Sequence, residues 1–366
     1  MASYLSDAMH SSYDRYRAEQ KLGPDTGLLK SYLIEAHIIS AENNSLHDET
    51  LAFLKRLAGP AHIHIFESND ETLFNIVHGK DTYYLDVSDP RFWVMHTLAL
   101  SARADKLRGD LIRMSPFLDS AWLPTQFLEK LTKLGHFRGF GAVHDETPFA
   151  ADKEGSEVET MHLRLWGGNA GVVLEALRNS NVFSHSLALS SVRVKYWLPN
   201  LDEEAIIDNF THEGKATALG RSFSSHTNLI SKLYLDYAQT IRMIEDSLPI
   251  RFVPQEGLPT LDGHPIIINL TRRLRDIRSF VSKVFSSNMP FRLWGLSEVQ
   301  ENDFARVYAV DLHVGHKLTF EITRDFVRIY LPPGTCGNTI ARFYTNIQQH
   351  YDSMASISGG PHEQLF

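Results

Sequence analysis

Residues 304–330 read Phe-Ala-Arg-Val-Tyr-Ala-Val-Asp-Leu-His-Val-Gly-His-Lys-Leu-Thr-Phe-Glu-Ile-Thr-Arg-Asp-Phe-Val-Arg-Ile-Tyr. The stretch predicts three strands in succession, at 304–312, 317–322 and 325–331, rich in β-branched and aromatic residues and separated by turn formers. His313, Gly315 and Lys317 mark the first turn, and Thr323-Arg324 forms the second. A loop, Pro332-Pro333-Gly334-Thr335-Cys336-Gly337, then leads to a helix. Its face is Ile340, Phe343, Tyr344, Ile347, Tyr351 and Met354, spaced at the helical period. Strands in a run, covered by a helix, define an α+β arrangement. After Ser356 the polar, Gly-rich tail is expected to fray.

Toward the N-terminus from this stretch, a short strand is expected at 291–294, a basic amphipathic helix at about 270–286, and a loop at 254–265. The clearest helix precedes them. Ile230, Tyr234, Tyr237, Ile241, Ile244 and Leu248 form one apolar stripe, with Ser222, Ser224 and Ser225 as caps and Pro249 as the stop. A hairpin at 204–211 and 215–219, a strand at 187–197, a helix at 168–178 and a strand at 162–166 complete a second sheet-and-helix unit. Arg164-Leu165-Trp166-Gly167 recurs as Arg292-Leu293-Trp294-Gly295, which suggests a degenerate duplication of the two units.

The N-terminal part reads as an α/β layer. Strands are expected at 31–39, 61–66, 72–78, 82–87 and 137–143. Helices are expected at 48–57, ended by Gly59-Pro60, at 91–107, opened by Asp89-Pro90, and at 124–134. The expected division is an acidic α/β domain at 1–145, an acidic linker at 146–160, and α+β units at 161–254 and 255–366.

Charge supports that division. The first 160 residues carry 16 Lys+Arg against 24 Asp+Glu, whereas the remaining 206 carry 20 of each. The whole-chain charge of −8 is thus an N-terminal property, affecting solubility and partner choice more than fold. One cysteine, Cys336, precludes an internal disulfide and points to a reducing compartment. No run of about 20 apolar residues is present, so a soluble cytoplasmic protein without membrane contact is expected.

Walker, dinucleotide-loop, Gly-x-Ser-x-Gly, His-Glu-x-x-His and paired Cys-x-x-Cys motifs are absent, and no cofactor is expected. In the basic segment, Arg272, Arg275, Arg278 and Lys283 fall on one helical flank, opposite Leu274, Ile277, Phe280, Val281 and Val284. A row of guanidinium groups suits phosphate or carboxylate, because each offers a planar bidentate fork. The competing outcomes are a solvated face or one docked on the chain's own acids.

Cys336, flanked by glycines at a helix start, is a candidate nucleophile or part of an anion-binding turn; the plain alternative is a small buried core residue. His62 and His64 are two apart on an expected strand and would share a face, as Asp311 and His313 would, with His316 across the turn. These are candidate metal ligands without a complete local set, and Asp311 and His313 are also candidate catalytic residues. Trp166 and Trp294, each ending a strand before a glycine, are candidate stacking platforms for a base or sugar, with a cover over a core end as the expected role.

These observations point to a non-catalytic binding or adaptor subunit of an intracellular assembly. Its basic row would meet an anionic partner, either an acidic protein surface or nucleic acid. Motif-poor chains of this kind also occur in bacterial multi-gene systems, antiviral defence among them. The rival reading is a hydrolase, metal-dependent through Asp311 and His313 or thiol-dependent through Cys336.

Overall fold

A computed structural model describes residues 1–19, 27–38, 45–145, 149, 160–180, 186–198, 205–255, 258–300, 303–360 and 364–366. In chain order the first elements are α1 (Ala2–Glu19), β1 (Leu29–Ala36), α2 (Leu46–Ala61), β2 (His64–Glu67), β3 (Leu73–His78), β4 (Asp81–Asp86), β5 (Phe92–Thr97), α3 (Ser101–Met114), β6 (Leu118–Ser120), α4 (Thr125–Thr132) and β7 (His136–Asp145). There follow β8 (Thr160–Trp166), α5 (Ala170–Arg178), β9 (Leu189–Tyr196), β10 (Ile206–Thr211), β11 (Lys215–Leu219), α6 (Phe223–Ser247), β12 (Arg251–Gln255) and β13 (Leu258–Asp262). The last are β14 (Ile266–Asn269), α7 (Ile277–Val284), β15 (Leu293–Gln300), β16 (Phe304–Asp311), β17 (Lys317–Thr323), β18 (Phe326–Tyr330), α8 (Asn338–His350) and β19 (Ser356–Gly359). The strands pair antiparallel, so the class is mixed α+β.

Packing divides the chain into two compact units made of interleaved segments. Unit 1 is Met1–Ala121, Leu131–Phe137 and Arg193–Leu235; unit 2 is Trp122–Lys130, Arg138–Val192 and Asp236–Phe366. The expected linker 146–160 lies, apart from Phe149 and Thr160, outside the described residues.

In unit 1 the strand order is β2-β3-β4-β5-β1-β11-β10, with β6 beside Ile34–Ala36 of β1. Alternate residues Tyr32, Ile34, Phe74, Ile76, Tyr83, Leu85, Trp93 and Met95 point to one face. There they meet Phe53, Leu54 and Leu57 of α2 and Leu107 and Leu111 of α3. Helix α2 runs through Gly59-Pro60, which had been expected to end it. Its carbonyls are closed one turn later, where His62 turns left-handed (φ 52°) and donates to Gly59 while Ile63 donates to Ala58. The helix expected at 91–107 is instead β5 followed by α3. Asp89 does accept the Arg91 and Phe92 N–H groups, but Phe92–Thr97 then pairs with both β1 and β4.

In unit 2 the strand order is β15-β16-β17-β18-β14-β19. Buried residues Ala305, Val307, Phe320, Ile322, Val327 and Ile329 form its inner face, and Phe343 of α8 packs on Phe320. The stretch expected as a loop at 254–265 instead holds the end of β12 and all of β13, which pair antiparallel. The tail expected to fray is built in: β19 pairs with β14, Leu365 and Phe366 are buried, and the Phe366 ring stacks on Tyr344. The helix expected over 270–286 shrinks to α7, because Asp276 accepts the Ser279 N–H and fixes its start. Residues 270–274 are tied elsewhere. Leu270 and Leu274 donate to the Asp325 and Arg324 carbonyls, while Thr271 and Arg272 donate to the Asp352 carboxylate.

The duplication expected between 161–254 and 255–366 finds no support in the strand order. The shared Arg-Leu-Trp ends β8 in one case, whereas Leu-Trp-Gly opens β15 in the other. A different repeat is present. β1-α2-β2-β3-β4-β5-α3-β6 in unit 1 and β14-α7-β15-β16-β17-β18-α8-β19 in unit 2 share element order and pairing. In each repeat, a four-strand meander pairs its last strand with the repeat's first strand, whose other edge takes the repeat's final strand.

Candidate functional site

The segment between β14 and α7 shapes a groove of about 320 Å³ in unit 2, with Phe280 and Tyr351 on its walls and Phe149 closing over them. Phe149 stacks on Phe280 (centroids 5.3 Å apart, planes 9°) and meets Tyr351 edge-on at 5.5 Å. The Arg272 guanidinium lies 5.3 Å above the Tyr351 ring and donates to the Tyr351 carbonyl at 3.4 Å. A stacked guanidinium of this kind contributes about 1 kcal/mol and holds its charge in place. Arg275 also lines the groove, as does Asp276.

Of the four basic residues read from the sequence, the structure brings Arg272 and Arg275 to the groove. Arg278 sits in the first turn of α7 and Lys283 in its last, so the four do not share one helical flank. Arg273 is paired with Asp325 at 2.7 Å. Arg275 and Arg278 are exposed, and among the described residues neither they nor Lys283 has a carboxylate partner.

The other candidates are placed differently. His62 ends α2 in a left-handed conformation and His64 opens β2, so they do not lie on one strand face; both are exposed. Asp311 and His313 are wholly buried. The Asp311 carboxylate accepts from the Arg342 guanidinium, from the Thr339 hydroxyl and, at 3.0 Å, from the His313 N–H. It therefore forms a buried ion pair inside unit 2. His316 accepts the Cys336 N–H on Nδ1 at 3.1 Å.

Cys336 is buried, and its sulfur lies within 4.8 Å of a His313 ring nitrogen. The turn considered for an external anion holds an internal one: the Gly337 N–H donates to Glu245 Oε1 at 2.6 Å. Gly337 permits this approach, since a Cβ there would fall 2.8 Å from the Ile241 carbonyl oxygen. Trp166 and Trp294, expected over core ends, are 62% and 45% exposed.

Sequence reading missed one constellation in unit 1. Ser31 Oγ lies 2.6 Å from His226 Nε2 and 2.7 Å from His96 Nδ1, and His226 Nδ1 lies 2.9 Å from both oxygens of Asp208. The order Ser-His-Asp is that of a nucleophilic triad. All four side chains are buried, however, which marks a polar network inside the core. No local motif announces it, because the partners come from β1, β5, β10 and α6.

Fold and groove together define a two-unit α+β protein with a repeated antiparallel unit and an arginine-lined aromatic cleft. The chain belongs to the family described as MJECL33-like protein, which matches residues 1–366. The uncharacterized protein MJECL33 of Methanocaldococcus jannaschii is 28% identical over 390 residues, covering 96% of this chain and 91% of that protein. No helix among the described residues is long and apolar enough to cross a membrane.

Proposed function

We propose that this protein is a non-catalytic binding or adaptor subunit that holds single-stranded nucleic acid in the Arg272–Tyr351 groove. The observation that carries the reading is the combination in one cleft of stacked aromatic walls, a guanidinium fixed over Tyr351, and neighbouring cations without a carboxylate partner among the described residues. Phe280 is buried beneath Phe149, so the half-buried rings of Phe149 and Tyr351 are the ones open to bases, which stack on aromatic faces irrespective of sequence, while arginines track the phosphates. An acidic protein surface would use the cations but leave the aromatic walls idle.

The test is an anisotropy titration of a labelled single-stranded oligonucleotide at several salt concentrations. Counterion release makes the logarithm of affinity fall steeply with the logarithm of salt. The Arg272→Ala/Arg275→Ala/Arg278→Ala variant should lower the affinity and flatten that slope. A flat wild-type curve, or a triple variant indistinguishable from wild type, overturns the reading.

A further inference from the structure

Unit 1 has a second cavity, of about 370 Å³, where the turn carrying Leu134 and Gly135 meets the end of β9. Its size is within the range of small-molecule sites. Trp197, 42% exposed, stacks on His136 with centroids 5.0 Å apart and planes at 22°. Gly135 makes that approach possible, since a Cβ there would lie 2.4 Å from the Lys195 carbonyl oxygen. The Lys232 ammonium sits 4.8 Å from the Tyr196 ring centroid and donates to the Tyr196 hydroxyl at 2.9 Å; that hydroxyl donates to Asn228 Oδ1 at 2.6 Å. Neutral groups thus hold the ammonium, and among the described residues no carboxylate neutralises it.

We propose that this pocket binds a nucleoside phosphate, with the base stacked on Trp197 and the phosphate on Lys232. The two halves select this ligand class together. A sugar would use the aromatic platform without the cation, and an acidic peptide the cation without the platform. The site is independent of the groove in unit 2 and goes beyond it.

Calorimetric titration of the full chain with adenosine monophosphate, adenosine and ribose 5-phosphate tests the proposal. Adenosine monophosphate should bind about tenfold tighter than either fragment. Lys232→Met should bring it down to the adenosine level. Trp197→Ala should weaken it about tenfold, with Trp197→Phe recovering part of the loss. Both positions are exposed, and circular dichroism checks that the variants are folded. The Arg272/Arg275/Arg278 triple variant should leave this affinity unchanged, which separates failure here from failure of the groove.

Competition by a 5′-phosphorylated oligonucleotide, but not by its 5′-hydroxyl form, would identify a strand end as the natural source. Competition by neither would identify a free nucleotide. Absence of saturable binding to folded wild type, or binding indifferent to Trp197→Ala, overturns the proposal.

Discussion

At the scale of single residues, the buried polar groups carry the strongest constraints. In the unit 1 network every donor finds an acceptor if His226 gives its Nδ1 proton to Asp208, Ser31 gives its hydroxyl proton to His226 Nε2, and His96 donates to Ser31. Burial, with His226 nearby, lowers the His96 pKa from 6.5 to about 3. Above pH ~6.5 the imidazole is neutral in folded and unfolded chains alike and adds no pH dependence. Between ~6.5 and ~3 only the unfolded chain takes the proton, so stability falls as pH falls through that window. The melting temperature should therefore drop from pH 7 to pH 5, and His96→Gln should make that drop shallower; an equal drop in the variant would refute the assignment. In unit 2, Arg342→Met leaves Asp311 a buried charge without its guanidinium. It should cost about 3–5 kcal/mol in urea unfolding, with Arg342→Met/Asp311→Leu recovering much of the loss.

At the scale of elements, the hairpins of unit 2 and the long helices could be read from the chain because their periodicity is local. The expected strands at 304–312, 317–322 and 325–331 correspond to β16, β17 and β18, and the stripe through Ile340 and Phe343 corresponds to α8. The segment 270–276 could not be read this way. Its spacing satisfies a helix, yet the Thr271 and Arg272 N–H groups are held by Asp352, about eighty residues further along the chain. Tertiary hydrogen bonding overrode local preference there, and it created the groove. Asp276 both caps α7 and places a negative charge at the groove. Asn caps about as well as Asp. Asp276→Asn should thus keep the melting temperature within about 2 °C while tightening oligonucleotide binding at low salt, the gain shrinking as salt is added. Unchanged affinity at low salt would argue against nucleic acid in the groove.

At the scale of the whole molecule, the repeated β-α-ββββ-α-β topology explains why the tail is structural. β19 occupies in unit 2 the edge that β6 occupies in unit 1, against the first strand of its repeat. The residues beyond it, Leu365 and Phe366, close the core over α8. Phe366→Ala should accordingly cost about 3 kcal/mol, read by urea unfolding, where a frayed tail would show no change. The sequence-level hint of duplication rested on a four-residue identity, and the strand order does not support it for 161–254 and 255–366. The segments 29–120 and 266–359 share element order and strand pairing, which no local sequence identity marks.

Composition and periodicity were enough to establish an α+β chain, the positions of its regular hairpins and stripes, and a basic segment between Leu270 and Phe285. Each of these depends on residues close together along the backbone. Which arginines reach a cleft, which aromatic rings wall it, and which histidines, serine and carboxylate meet in the core were decided only on folding. Those contacts join residues tens to hundreds of positions apart, and burial and hydrogen-bond satisfaction across that separation leave no periodic trace in the chain.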